Sequence, residues 1–527
     1  LDMILNGRTW EDIMDYPNKI QAVTKDEIVR VANKYFKDDY LVYRSKFGFP
    51  KKDKVDKPPY EAVKPKNAEQ TSAYAKKLVS IPSDEIKINY VDFQKDVHHE
   101  ELINNFHFYH NPNPVNSIFS LRLEWGIGKY ENNKLSYAAG LGGMIGSENY
   151  SFNELKEKLQ KIGATLDFFN TGNYTGMNIK GFDSYFNETM AITGDFLRTM
   201  KVRKEDEKKL KKLIQGSIIE RKFESRESSA KGNALREYAI WGESSDYLTR
   251  ATVKEVKKMN SKVLMDQIED AMAVETSVFY VGNIDKETVK QSVQDNLIIN
   301  QTLRDSNSPL TWEKKLKKTN TVFFYNDKKA VQSQIYIIVD GEVMNLEERH
   351  RSNIFNKYFG GSMSGLVFQE IREFRSLAYS ARGTYRRPYY FDKSGRFEGF
   401  IGTQADKTID AIETYINLLT DMPEKTNRID GIKSGLLESL SSSKPGFRSM
   451  SLSIRGWEKQ GYETDPRKSK KDVYDSADFN DIKDFYDNYI KDKPITITIV
   501  GNKDKIDMEK LSEYGQIVEV KTEDILN

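Results

Sequence analysis

The sequence predicts an α+β fold made of two tandem homologous domains, each an antiparallel sheet covered by helices. Three observations predict this class. Alternating apolar residues mark strands, longer segments with helical periodicity follow them, and one type of domain end recurs along the chain. Strands that precede helices twice over are typical of an α+β architecture. The 527 residues are sufficient for several domains.

The recurring domain end is a capped helix followed by a short strand. Thr24 and Glu27 predict a capping box, and the strand is expected at residues 41–43. The same order returns where a helix opening at Ser476 precedes the alternating strand 495–500, and a third copy begins at Ser261. The apolar face of the first of these helices consists of Ile28, Val31, Tyr35 and Phe36.

Two complete domains fit between these three ends. Residues 1–46 are therefore interpreted as the tail of an upstream repeat, and the start at Leu1 within a helical pattern indicates a fragment of a longer precursor. Residues 47–85 contain five prolines and many lysines and are predicted to be an extended, solvated linker. The two domains are then placed at residues 86–300 and 301–527.

Local patterns predict the elements within these domains. Alternation predicts a half-buried strand over residues 119–125, and residues 107–114 before it are expected to run into a hairpin turn. Ser151 and Glu154 predict a second capping box, and residues 204–227 predict one long charged helix.

The composition excludes several classes of function. Lys and Arg number 81 and Asp and Glu 79, so the formal charge of +2 provides no general attraction to nucleic acid or anionic membrane. The absence of cysteine excludes disulfides, thiolate metal sites and cysteine nucleophiles. No apolar segment reaches the ~20 residues of a membrane-spanning helix.

The histidines do not form a recognisable zinc motif. Neither H-x-x-E-H nor H-E-x-x-H occurs, although a zinc peptidase helix needs two His one turn apart. His98 and His99 are expected in a solvated polar segment. His107 and His110 are expected on opposite faces of a strand, and His350 on a polar helix face.

Glycine-rich and serine-rich segments do not match known catalytic motifs either. Residues 140–146 miss the dinucleotide-binding register by one residue, and residues 360–365 lack the G-K-[ST] ending of a phosphate loop. The serine cluster at residues 439–443 has no nearby His that would support a catalytic triad.

Residues 359–380 form the most informative segment. It predicts a glycine-rich turn, an amphipathic helix with Leu366, Phe368 and Ile371 apolar, and then a strand. Arg372 falls in the last helical turn, and Tyr379 follows seven residues later at the start of the strand. Both are good donors to a peptide carbonyl or a developing oxyanion. The alternative is structural: an Arg that caps helix carbonyls and a Tyr packed in the sheet.

This segment closely resembles the signature of the substrate-binding half in the pitrilysin/insulinase family of zinc metallopeptidases. The shared sequence is G-G-S-M-S-G-L-V-F-Q-E-I-R-E-x-R-S-L-A-Y-S. The resemblance implies that Arg372 and Tyr379 bind substrate, and that residues 301–527 correspond to the fourth repeat of that family. Residues 395–403 and the helix from about Lys407 also look like the fourth repeat.

The preceding domain resembles the family's third repeat in degenerate form. Aligning Gly146 and Ser147 on the family's Gly-Thr places Tyr137, Gly140 and Leu141 where active halves carry His, Glu and His. None of the three can bind zinc, so the resemblance implies no catalytic residue and no metal site in this chain.

The resemblance implies a C-terminal half that handles unfolded peptides in a closed chamber. Zinc would belong to an N-terminal catalytic half, in the same precursor or in a separate chain. Two alternatives remain: a partner subunit of a separate zinc-bearing chain, and a non-enzymatic peptide-binding scaffold. The Lys-, Asn- and Tyr-rich composition suggests an AT-rich bacterium and a periplasmic or envelope location.

Overall fold

The computed structural model describes residues 5–44, 72–82 and 87–527, apart from residues 362, 374 and 376 and the side chains of Val79 and Tyr379. The chain divides into two compact units, Leu1–Glu61 and Ala62–Asn527. Residues 45–71 and 83–86, which include most of the linker predicted at 47–85, lie outside the described residues.

The described part of the first unit includes three short helices: α1 (Trp10–Met14), α2 (Tyr16–Gln21) and α3 (Lys25–Tyr35). The predicted capping box is confirmed, since the Thr24 hydroxyl accepts from the Glu27 amide at 3.3 Å. The predicted apolar face of α3 is exposed, with Ile28 at 60% and Phe36 at 86%. The strand predicted at residues 41–43 is wrong, because a strand needs a neighbour and residues 5–44 hold no other extended segment that could pair with it.

The first described element of the second unit is helix α4 (Ala73–Val79), which lies within the predicted extended linker. Its first half contains a six-stranded sheet in the order β1-β2-β8-β3-β6-β5. The strands of this half are β1 (His98–Ile103), β2 (Phe106–Pro112), β3 (Ile118–Trp125), β4 (Gly146–Ser147), β5 (Thr165–Asn170), β6 (Thr175–Phe182), β7 (Met200–Lys201) and β8 (Thr276–Gly282).

Helices cover this first sheet and bury a continuous apolar core against it. The predicted capping box at Ser151 and the predicted long helix are both confirmed. The helices are α5 (Leu135–Gly142), α6 (Phe152–Lys161), α7 (Phe186–Thr199), α8 (Lys204–Glu224), α9 (Ser228–Trp241), α10 (Asp246–Thr249), α11 (Val253–Lys258), α12 (Ser261–Ala271) and α13 (Lys286–Leu297).

The second half repeats the architecture with a six-stranded sheet in the order β11-β12-β10-β13-β9-β14. A separate apolar core lies beneath its helices. The strands are β9 (Thr321–Asn326), β10 (Gln332–Val343), β11 (Ala378–Arg386), β12 (Ser394–Gln404), β13 (Ile495–Gly501) and β14 (Gln516–Glu519). The α-helices are α14 (Leu346–Phe359), α15 (Thr408–Thr420), α16 (Ile429–Ser442), α17 (Met450–Lys459), α18 (Arg467–Ser476), α19 (Phe479–Tyr489), α20 (Met508–Ser512) and α21 (Thr522–Ile525).

The α+β class is confirmed, but both sheets are mixed and not wholly antiparallel. Strand β8 pairs parallel to β2, and β13 pairs parallel to β9. Parallel neighbours need a long crossover, and in each half most of the domain separates the two paired strands. Strand β8 therefore lies between β2 and β3, so the hairpin expected after residues 107–114 is wrong. The hairpin instead joins β1 to β2 through Asn105, whose φ is 65°.

The last domain end begins two residues later than expected. Ser476 ends α18, and Asp478 caps α19 by accepting from the Asn480 amide at 2.7 Å. The two halves of the second unit are in direct apolar contact, since Met450 and Ile454 of α17 pack with Tyr109 and Phe279 of the first sheet. Among the described helices, none has both the length and the apolar character that crossing a bilayer requires.

Candidate functional site

The segment after the glycine-rich turn folds as a helix followed by a strand, as predicted. Leu366 and Ile371 are fully buried, whereas Phe368, expected on the same buried face, is only partly buried. Residues Phe368–Glu373 are π-helical, a rare geometry that inserts one extra residue into a turn and often occurs at functional sites.

Arg372 lies in the last turn of this π-helix, as predicted. Its guanidinium carbon is 4.7 Å from the centroid of the Phe368 ring, and its Nε is 3.4 Å from Oε1 of Glu373. The side chain is 36% exposed. The Arg372 side chain therefore reaches the surface, supported from below by the ring of Phe368.

Tyr379 is the second residue of β11, which forms an edge of the second sheet. The pairing register with β12 shifts at this position: Ala378 opposes Thr403 and Ser380 opposes Gly402, leaving Tyr379 outside the ladder. Such a β-bulge re-aims a side chain and is common beside active sites. The Tyr379 side chain itself lies outside the described residues.

Local hydrogen bonds hold the chain between these two positions. The Leu377 amide donates to the Ile371 carbonyl at 3.1 Å, and the Thr403 hydroxyl donates to the Leu377 carbonyl at 2.6 Å. Arg375 pairs with Glu370 at 2.6 Å. The backbone at Arg372 and the backbone at Tyr379 are thus tied to one helix end and one sheet edge.

The three positions predicted to replace zinc ligands lie on α5. Leu141 is fully buried, and a side chain at Gly140 would meet Cδ2 of Leu213 at 3.0 Å. The Tyr137 hydroxyl is 2.7 Å from Oγ of Ser217 and accepts from Nη2 of Arg221 at 3.2 Å. The facing helix α8 therefore presents a hydroxyl and a guanidinium to this position.

These residues do not fit a zinc ion. Zinc takes thiolate, imidazole or carboxylate ligands, whereas Tyr137, Ser217 and Arg221 bring phenol, hydroxyl and guanidinium groups to a cavity of about 500 Å³. The two carboxylates that line the same cavity, Glu224 and Asp246, are paired with Arg250 and Lys129. A guanidinium also repels a divalent cation. In the part of the chain that the structure describes, no three His, Cys, Asp or Glu residues are grouped to hold a metal.

Four histidines lie on the first two strands. His98 contacts Glu100 at 3.2 Å, and His99 stacks on Tyr109 with ring centroids 4.2 Å apart, so the expected solvated segment is a partly buried strand. His110 contacts the Ile284 carbonyl at 2.9 Å. As expected, His107 lies on the opposite side of the strand from His110, next to the ring of His99.

The expectation for His350 is wrong, because its side chain is completely buried. Burial, reinforced by the positive charges of Lys470, Arg387 and Arg349, lowers the pKa of His350 to about 3. Sequence reasoning missed this cationic cluster because its members come from α14, the end of β11 and α18. No local pattern links residues that distant.

The comparison with known families agrees with the predicted resemblance. Residues 274–436 match the family model described as the peptidase M16 inactive domain. This part of the chain is therefore similar to the inactive domain of the peptidase M16 family, to which the pitrilysin/insulinase enzymes belong. The predicted family is thereby confirmed.

Relatives in sequence are named as zinc proteases. The uncharacterised zinc protease YmxG of Bacillus subtilis is 23% identical over 315 residues, which cover 58% of this chain and 71% of that protein. An uncharacterised zinc protease of Rickettsia felis is 36% identical over 90 residues, covering 17% of this chain and 21% of the relative.

Solved structures share the fold at low identity. A peptidase M16 inactive domain from Pseudomonas fluorescens superposes with a TM-score of 0.60 at 11% identity, covering 77% of this chain and 98% of that one. The periplasmic protease PqqL of Escherichia coli gives a TM-score of 0.60 at 11% identity over 92% of this chain. This chain spans about half of PqqL, 51% of its length.

Proposed function

We propose that this chain is the C-terminal, substrate-binding half of a zinc metalloendopeptidase that degrades or processes unfolded peptides in a closed chamber. Zinc and the catalytic residues would belong to an N-terminal half, in the same precursor or as a separate chain. The inactive M16 domain, together with the match to one half of a periplasmic protease, supports this assignment. The same neighbour supports a periplasmic or envelope location.

The paired irregularities around Arg372 and Tyr379 carry the proposal. The π-helix, which holds one extra residue per turn, contains Arg372 in its last turn. The β-bulge, which adds one extra residue to the strand, falls at Tyr379. Both features interrupt the regular backbone hydrogen bonding of their element. Such irregularities are common where they position a functional group. In the proposed role, the guanidinium of Arg372 and the hydroxyl of Tyr379 donate to the substrate backbone next to the scissile bond.

Exposed apolar side chains in the first unit support the proposal that an N-terminal half, in the same chain or in a separate one, packs against it. Helix α3 exposes apolar side chains, including Val31 at 43% and Tyr35 at 68%. A helix with such a face gains stability when another element covers it. We therefore retain residues 1–46 as the tail of an upstream repeat, 47–85 as the linker, and 86–300 and 301–527 as the two following repeats.

The test is cleavage of a quenched fluorescent peptide after the chain is combined with a zinc-bearing N-terminal half. We expect the chain alone to be inactive and the combination to cleave in a chelator-sensitive manner. Arg372→Gln should lower kcat/KM by roughly 100-fold, the usual loss for one oxyanion donor, and Tyr379→Phe by roughly tenfold or more. Arg226→Gln, which changes an exposed arginine outside this segment, is the matched control and should retain turnover.

A different pattern of results favours the alternative of a partner subunit or scaffold. If the Arg372 and Tyr379 variants turn over peptide like the wild type, the substrate-binding role is wrong. If, in addition, these variants fail to assemble with the zinc-bearing half on size-exclusion chromatography, the segment serves assembly. Cleavage by the chain alone would overturn the proposal that catalysis resides in the other half.

A further inference from the structure

A cavity of about 430 Å³ in the second half is lined by positive charge. It lies where α14, the end of β11 and the start of α18 meet, and Arg349, Arg387 and Lys470 each line it from one of these places. We call these three residues with their cavity the cationic pocket. Among the described residues that line it, none is an Asp or a Glu.

Arg349 is buried in this pocket without a counter-charge. Its side chain is only 4% exposed. One guanidinium nitrogen, Nη2, donates to the Pro388 carbonyl at 2.6 Å, while Nε and Nη1 are buried and have no hydrogen-bond partner in the described structure. A buried cation with unused donors is costly unless a ligand or partner completes it.

Arg387 and Lys470 add to the excess of positive charge in the cationic pocket. Arg387 donates to the backbone carbonyl of Arg349 at 3.0 Å, and burial together with the charge of Arg387 lowers the pKa of Arg349. Burial and the neighbouring Arg387 lower the pKa of Lys470 to about 8. Among the described residues, no carboxylate forms an ion pair with any of the three. Asp465, whose charge raises the pKa of Lys470, is itself paired with Arg467 at 2.5 Å.

The residues that line the cationic pocket and the groove beside it are suited to binding a peptide. Trp457, Tyr462 and Tyr389 line it, and such rings provide apolar contact for the methylene groups of a side chain. The segment Arg387, Pro388 and Tyr389 also lines an adjoining groove of about 1060 Å³ between the two halves. A chain lying in that groove can place one side chain, or its terminus, in the cationic pocket.

We propose that the cationic pocket is a carboxylate-binding site that takes an acidic side chain or the C-terminal carboxylate of a peptide lying in the adjoining groove. The carboxylate would accept a charge-assisted hydrogen bond from the unused Nη1 of Arg349. Lys470 and Arg387 would supply the remaining charge. The choice of a peptide as ligand rests on the proposed function, whereas the preference for an anion rests on the pocket alone.

The test is peptide binding to the whole chain, measured by calorimetry and by the fluorescence of Trp457, without any turnover. Three heptapeptides acetylated at the N-terminus are compared: one with a single Glu and an amidated C-terminus, one with Gln at the same place and an amidated C-terminus, and the Gln peptide with a free C-terminal carboxylate. We expect one or both carboxylate peptides to bind at least about tenfold more tightly than the Gln peptide. Added salt should weaken this preference.

Lys470→Gln is the test variant, because it removes one charge without deleting a hydrogen bond described in the structure. Lys468→Gln is its matched control: Lys468 lies on the same helix, is exposed and does not line the pocket. We expect Lys470→Gln to lose most of the preference for carboxylate and Lys468→Gln to keep it. Arg349→Lys, which retains the charge but not the forked donors, should also lose it.

Two results would overturn the proposal. If neither the Glu peptide nor the peptide with the free C-terminal carboxylate binds more tightly than the amidated Gln peptide, the pocket does not select carboxylate. Tight binding of inorganic phosphate with no preference among the peptides would assign the pocket to a free anion. Neither result depends on a catalytic half, so a failure here is distinguishable from a failure of the peptidase proposal.

Discussion

Arg455 and Glu124 form an ion pair that joins the two halves of the second unit. Nη2 of Arg455 on α17 lies 2.6 Å from Oε2 of Glu124 on β3, and the two side chains are 12% and 3% exposed. Arg122 pairs with the other carboxylate oxygen at 2.6 Å. Glu124 is therefore a buried carboxylate whose charge is balanced by one arginine from each half.

Removing Arg455 should destabilise the second unit. The change Arg455→Met leaves Glu124 with one partner and deletes a charge-assisted hydrogen bond, so we expect a loss of about 2 kcal/mol in the free energy of unfolding. Denaturant unfolding followed by circular dichroism measures it. In the double variant with Glu124→Gln, the two losses should not add, because the residues share one interaction. Additive losses would contradict a direct pair.

The chain should neither retain nor require zinc. The groups around Tyr137 do not provide ligands, so we expect less than about 0.1 zinc per chain after dialysis and a Tm that a chelator leaves unchanged. Tyr137→His combined with Leu141→His supplies two imidazoles one helical turn apart. We expect it not to create a tight site, because Arg221 and Ser217 remain opposite. Zinc at one equivalent in the unaltered chain would refute this prediction.

Acid should destabilise the second domain through His350. Its pKa of about 3 in the folded chain lies below the unfolded value near 6.5, so the unfolded state binds more protons between these values. Stability is therefore complete above about pH 6.5 and falls as the pH decreases, by roughly 2 kcal/mol at pH 5 from this group. The variant His350→Gln, which can still meet Ser469, should lose this part of the pH dependence in urea unfolding.

Raising the pH into the mildly alkaline range should stabilise the folded chain through Lys470. Its pKa of about 8 lies below the unfolded value near 10.5, so the folded chain releases its proton first. Stability should increase by roughly 2 kcal/mol from pH 8 to pH 10 in the unaltered chain. Lys470→Met should remove this increase, and Lys468→Met should not. Identical profiles for the unaltered chain and Lys470→Met would show that the amine is not buried as a cation.

Much of the local structure follows from the sequence because it depends on contacts near in the chain. The capping boxes at Thr24 and Ser151 satisfy amides three residues away, and the alternation over residues 119–125 marks one buried face of β3. The α+β class follows from the order of such elements, and the motif at residues 359–380 identified the peptidase family.

Only the tertiary structure decided which strands pair and which charged side chains surround a buried residue. The parallel pairs β2–β8 and β9–β13 join strands separated by most of a domain, and no local signal records which strands become neighbours. The sequence predicted His350 on a polar helix face. Packing of distant segments instead buries it beside Arg349, Arg387 and Lys470. Local periodicity reports hydrogen bonds and faces within a few residues, whereas strand order and buried charge arise from contacts between distant segments.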